Sequence, residues 1–265
     1  MSIAKVRDMI MSFEIQGRGE ALLLISDLGT NRSFWANQLP AFSSTMMTIT
    51  FDGRGTGNTD SPEGKTSIEA LAQDAIGLMG VIGLEKAHLI GMGMGGRVAA
   101  KVALNKPNSV QTLVLCSTSP CATPSQMTFL RSIQLLSRSG ASPKEIACFE
   151  LPWLQSRRFV SDKRMIEALA TLRANRFSGT SPESRCQLID AYLENDLSDQ
   201  MQEICMPTLI VSGQDDILTP ICYQEEMAKK IRGAEILRLE AAHMVNCERP
   251  REFNYGVLDF IQRHS

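Results

Sequence analysis

The stretch "AHLIGMGMGGRVAAKVAL", from Ala87 to Leu104, constrains the fold more than any other. An apolar β-type run passes through a cluster of glycines directly into a helix-type run. A buried strand that turns straight into a helix is half of a βαβ unit, and such units assemble with parallel strands. The rest of the chain repeats the alternation. "MIMSFEIQ" and "ALLLISD" read as strands joined by the turn "GRGE", and "TMMTITFD", "QTLVLCS", "PTLIVSG" and "AEILRLE" read as further strands. Apolar residues recur at helical spacing in "SIEALAQDAIGLMGVIG", in Gly95 to Leu104, in "YQEEMAKKIRG" and in "REFNYGVLDFIQRH", with a short helix over "SFWANQLPAF". The pattern predicts an α/β fold with a mostly parallel central sheet and helices on both faces.

One block breaks the alternation. Residues 119–202 contain only helical patterns and turn residues: "PSQMTFLRSIQLLSRSG", "SPKEIACFEL", "DKRMIEALATLRANRF" and "SPESRCQLIDAYLE". Several begin with a Ser-Pro or Ser-Asp pair suited to a helix N-terminus. We expect this block to be a helical lid, or cap, inserted into a core made of residues 1–118 and 203–265.

Composition removes several function classes. The formal net charge of -2, with no basic stripe interleaved with aromatics, gives nucleic-acid binding no electrostatic support. No apolar run approaches the roughly 20 residues that cross a bilayer. The N-terminal "MSIAKVRDMIMSFEIQGRG" has neither an apolar signal core nor a small-residue cleavage site. The 7 cysteines are scattered, odd in number and never in C-x-x-C spacing, which argues against a zinc site or a disulfide framework and for a reducing cytoplasm. No metal and no organic cofactor is expected.

Gly91, Gly93 and Gly96 fit two motifs. In the dinucleotide-binding fingerprint G-x-G-x-x-G, an acidic residue should follow about 20 residues later at the end of the next strand. That strand ends in "VLCSTSP", and no Asp or Glu occurs between Glu85 and Glu145. The second motif is G-x-S-x-G, a sharp strand-to-helix turn that presents a catalytic serine. Here Gly93 occupies the serine position. Such a site orders its remaining partners as acid, then histidine, on loops after later strands. "QDDILTP" places Asp215 and Asp216 after one strand, and "AAHMVNCERP" places His243 after the last.

With these residues the chain strongly resembles the α/β-hydrolase family along nearly all of its length. "GQDDILTP" resembles the family's acid loop, with spacing that favours Asp216 over Asp215. "AAHMVNCERPREFN" resembles its histidine loop, and "FDGRGTGNTDSP" its D-x-R-G-x-G-x-S loop, with Thr56 and Thr59 where His and Ser are frequent. "LISDLGTNRSFWANQLPAF" is most similar to the 3-oxoadipate enol-lactonase and haloperoxidase-like branch. The resemblance implies an Asp216–His243 catalytic pair and an oxyanion hole built from the backbone N–H groups of Leu28 and Met94.

Gly93 departs from that pattern, because a residue without a side chain forms no acyl-enzyme. Glycine suits a strained turn at no cost to itself, and the N-myc downstream-regulated proteins resemble this chain in carrying glycine there. Ser26, Asp27, Cys116 and Ser117 lie at strand ends near the expected site without an evident nucleophilic role. Three readings stay open: an enzyme that uses His243 and Asp216 on a small ester, lactone or carbonyl compound without a covalent intermediate; a non-catalytic ligand-binding protein or scaffold; and an ordinary esterase or lactonase whose serine was replaced. The first expects room at Gly93 for the attacking water. Asp27, Met92, Trp153 and Met244 are candidates to line a pocket for an apolar small molecule.

Overall fold

The computed structural model describes all 265 residues. In chain order its strands are β1 (Ser2–Val6), β2 (Met9–Gln16), β3 (Ala21–Ile25), β4 (Met47–Phe51), β5 (Ala87–Met92), β6 (Val110–Cys116), β7 (Thr208–Gly213) and β8 (Glu235–Leu239). They form one sheet in the order β1-β2-β4-β3-β5-β6-β7-β8. β1 and β2 pair antiparallel, as do β2 and β4, and every pairing from β4 through β3 to β8 is parallel. Every residue of β3, β5 and β7 is buried, as continuous apolar runs in a sheet covered on both faces should be.

The helices are α1 (Leu39–Phe42), α2 (Ile68–Val81), α3 (Met94–Asn105), α4 (Pro124–Arg138), α5 (Pro143–Leu154), α6 (Lys163–Arg176), α7 (Pro182–Leu193), α8 (Ile221–Lys230), α9 (Val245–Glu248) and α10 (Pro250–Arg263). Helices α4 to α7 lie between β6 and β7 in sequence, and their starts are written in the chain. Thr123 and Ser142 form capping boxes with Gln126 and Glu145, while Asp162 and Ser181 cap α6 and α7. Phe129, Ile133, Leu154 and Leu188 carry three of these helices into the same hydrophobic core as the sheet. Helix α6 instead packs on α5 through a small cluster of Ala147, Leu151 and Ala170.

Three local features differ from expectation. Strand β1 is absent from the sequence reading because it is a mostly exposed edge strand, held by its register against β2 and by the buried Val6 at its end. "SFWANQLPAF" is not one helix but a 3-10 turn over Arg32–Trp35 followed by α1. Pro40 has no N–H to extend the first turn and opens a second one instead. Helix α5 continues through Pro152, where Leu151 and Leu154 are both buried and offset the lost backbone bond.

The loop after β4 is anchored by charge. Asp74 on α2 accepts from Arg54 Nε at 2.8 Å and Nη2 at 2.9 Å, and from Arg7 Nη1 at 2.7 Å. Arg54 also donates to Asp8 at 3.0 Å. The Asp74 carboxylate is buried, so its removal leaves the nearly buried Arg54 guanidinium without its main counter-charge. We predict that Asp74→Ala lowers unfolding free energy by about 3–5 kcal/mol in chemical denaturation; a loss near that of a surface pair would show that the network carries no load.

Candidate functional site

Gly93 sits where β5 becomes α3, with φ 53° and ψ -114°. The left-handed φ is open to glycine and strained for other residues. Its N–H donates to Cys116 O at 3.0 Å, and its carbonyl accepts from Thr118 Oγ1 at 2.7 Å. Two residues on, Gly95 has no room for a Cβ, which would collide with the carbonyl oxygens of Ile25 and Ser26. The ends of β3, β5 and β6 therefore converge at one point.

The loop after β3 is folded tightly there. Thr30 donates to Asp27 O through both N–H (3.1 Å) and Oγ1 (2.7 Å). Asn31 N–H donates to Arg176 O, and Thr180 Oγ1 to Gly29 O, so the segment after α6 holds the loop down. The Asp27 side chain turns toward the elbow. Its Oδ1 accepts from the Met94 N–H at 3.2 Å, and a Cβ built on residue 93 would collide with that same oxygen. Two expectations are corrected by this contact. The volume left by the absent serine is filled by a carboxylate rather than free for water, and one of the two N–H groups expected in the oxyanion hole already has a partner. Leu28 lines the same cavity, and its N–H makes no hydrogen bond within the protein.

Opposite lies His243, in the loop after β8. Its Nδ1 is 3.0 Å from Asp216 Oδ2, and both side chains are buried. Asp216 Oδ1 accepts from the N–H groups of Leu218 (2.9 Å) and Thr219 (2.8 Å), which fixes the carboxylate. Asp215 is exposed and does not reach the histidine. Burial pulls the imidazole toward its neutral form. The Asp216 carboxylate, by charge and hydrogen bond, and then the Asp27 charge outweigh burial and the opposing Arg173, so the pKa of His243 lies above its ordinary value. Nε2 makes no hydrogen bond.

None of the other residues considered as nucleophiles lines this cavity. Ser117 Oγ donates to His243 O at 2.7 Å. Cys116 is fully buried, and burial pushes its thiol up, away from the reactive thiolate. Ser26 Oγ is buried without a partner and faces a second cavity, which shares Asp27 and Met94 with the first.

The first cavity, about 420 Å³, lies between the elbow and α4, α5, α6 and α7. Asp27, Leu28, Gly93, Met94 and His243 line one side; Phe129, Leu130, Ile133 and Leu154 line the other. It is not wholly apolar, because Glu150 and Arg173 enter it as a buried ion pair, with Tyr192 and Gln126 beside them. No sequence signal marked Glu150 or Arg173, which look like ordinary surface residues of two helices. Three expected lining residues lie elsewhere. Met92 ends β5 inside the core, and Met244 is likewise buried in the core, its N–H donating to Leu154 O. Trp153 packs its ring on Phe129 at 5.6 Å, so Phe129 meets the cavity in its place. No three His, Cys, Asp or Glu side chains are grouped to hold a metal ion, and no helix is long and apolar enough to cross a membrane.

Comparison with known proteins places this geometry. The family profile described as "Serine aminopeptidase, S33" (Hydrolase_4) matches residues 43–245. A Rhizobium rhizogenes protein named "Putative carbamate hydrolase RutD" is 31% identical over 268 residues, covering 96% of this chain and 99% of its own. The 3-oxoadipate enol-lactonase 2 of Acinetobacter baylyi is 26% identical over 260 residues, covering 97% and 95%. The crystal structure of an enol-lactonase from Burkholderia xenovorans superposes with a TM-score of 0.90 at 25% identity, covering 98% of this chain and 100% of that one.

Two outcomes follow from the site geometry. Gly93→Ser adds a side chain at a left-handed φ and against Asp27, so it should lower unfolding free energy by roughly 1–3 kcal/mol, and adding Asp27→Ser should recover part of that loss. Equal stability of Gly93→Ser and wild type would mean that Asp27 yields freely. The raised His243 pKa also sets a pH dependence: its contribution to stability is fully present below about 6.5 and lost as pH rises through the raised folded value. The stability difference between wild type and His243→Gln should therefore narrow with rising pH across that window, and a flat difference would refute the cationic imidazole.

Proposed function

The chain belongs to the serine aminopeptidase S33 family of α/β-hydrolases, in the enol-lactonase branch, and from that premise we propose that it hydrolyses a small ester, lactone or carbamate without an acyl-enzyme. The observation that carries this reading is the buried Asp216–His243 pair opening onto a cavity under the helices α4 to α7, beside an elbow with no nucleophilic side chain. A histidine oriented by a carboxylate transfers protons to or from a bound substrate or water, and an unbonded backbone N–H such as that of Leu28 stabilises charge on a carbonyl oxygen. Residues 119–202 serve as the cap that closes this cavity over the core of residues 1–118 and 203–265. The lining favours a small substrate with an apolar body and a polar end near Arg173. Its 7 free cysteines suit a reducing compartment, the cytoplasm.

Asp27 also favours a second reading, a ligand-binding protein that has given up catalysis, because a carboxylate holds a donor that an oxyanion would need. An ordinary esterase lacking only its serine offers no account of that carboxylate. The deciding assay is turnover of enol-lactones, alkyl and aryl esters and simple carbamates by wild type and His243→Ala. We expect wild-type turnover with no burst of leaving group, reduced about 10²–10⁴-fold in the variant. Unchanged turnover in His243→Ala overturns the proposal, and ligand binding without any turnover supports the binding protein.

A further inference from the structure

Asp27 is the ionisable group that stands against the elbow, a position where a serine-dependent site has no use for one. Its Oδ1 is fixed by the Met94 N–H, while Oδ2 makes no hydrogen bond. Oδ1 stands against the place where a Cβ at residue 93 would be, and Oδ2, 3.5 Å from that place, is left free beside it. His243 lines the same cavity with Nε2 unbonded and Nδ1 held by Asp216. From this arrangement we infer that Asp27 is the general base of the site and that His243 is its general acid, the reverse of the histidine's part in a serine-dependent hydrolase. The inference rests on the hydrolytic reading above and names the residue that replaces the missing serine.

The charges around the histidine are consistent with that division. Asp216 approaches it from the loop after β7 and Asp27 from the loop after β3; Arg173 on α6 opposes them but is neutralised by Glu150 on α5. Thr219 and Tyr192 contribute no formal charge. One carboxylate bonded to the imidazole and the charge of a second both favour the imidazolium, a donor at both ring nitrogens. An imidazolium cannot take a serine's proton, but it can protonate a leaving group.

The chemistry closes without a covalent intermediate. Asp27 Oδ2 takes a proton from water as the water oxygen bonds to the carbonyl carbon and the C=O π pair moves onto the carbonyl oxygen, facing the Leu28 N–H. The tetrahedral species collapses, the bond from carbon to the leaving oxygen breaks, and His243 Nε2 gives its proton to that oxygen. A carboxylic acid and an alcohol or enol leave, and the proton on Asp27 passes through solvent to His243 Nε2, restoring the starting state.

The test compares Asp27→Asn, His243→Gln and wild type on an alkyl ester and a nitrophenyl ester of the same acid, with histidine titration followed by NMR. Asn is isosteric and its amide oxygen still accepts from Met94, so folding is preserved. We expect Asp27→Asn to reduce kcat about 10²–10⁴-fold on both esters. His243→Gln should reduce it strongly on the alkyl ester and far less on the nitrophenyl ester, whose leaving group needs no proton. The titration midpoint of His243 should fall in Asp27→Asn, because one of the charges that raise it is removed. Wild-type turnover in Asp27→Asn alongside a dead His243→Gln, or equal losses on both esters in His243→Gln, overturns the inference and leaves the hydrolytic reading standing. An unmoved His243 titration in Asp27→Asn overturns it as well. A wild type silent on every ester removes the hydrolytic reading, and this inference with it.

Discussion

Strand β5 ends in the middle of the sheet, and α3 begins one residue later, so the backbone has no loop in which to reverse. The reversal falls on Gly93 at φ 53°, and the neighbouring strands hold it there. The end of β6 supplies an acceptor for its N–H, and Thr118 a donor for its carbonyl. Gly95 lets α3 lie directly on the carbonyls of Ile25 and Ser26. Once that contact is made, the loops after β3, β6, β7 and β8 have only one common space to face. The side chains they present, Asp27, Ser117, Asp216 and His243, are neighbours for that reason.

Buried charge is costly unless it is paired and hydrogen-bonded, and the site obeys this almost throughout. Asp216 is bonded by two backbone N–H groups and the histidine. Glu150 and Arg173 neutralise each other between two helices. Asp27 has one donor, the Met94 N–H, and acts on His243 only through its charge. Its second oxygen makes no hydrogen bond and is left for a ligand beside the elbow. Burial of unspent acceptor capacity is expensive for a scaffold, and Asp27 is where this site carries that cost.

The fold was largely legible because its signals are local. Continuous apolar runs, helical spacing and capping residues each act within a few positions, and α2 to α8 and the inner strands fall where those signals put them. The reading failed at an edge strand and at a proline. β1 exists through its pairing with β2, and the helix expected over "SFWANQLPAF" is divided by Pro40. Methionines near the motifs looked like pocket residues, but Met92 and Met244 turn into the core.

By itself the sequence determined the α/β alternation, the glycine at the elbow, and the order of acid and histidine along the chain, because each is a matter of residue type at short spacing. Tertiary structure alone decided what fills the place of the missing side chain. Asp27 and Met94 are separated by 67 positions, and their hydrogen bond exists only because β3 and α3 pack at the sheet's edge of reversal. The same holds for Glu150 and Arg173, which leave solvent only when α5 and α6 close over the cavity. The direction of a side chain is set by its packed neighbours, and no local pattern specifies it.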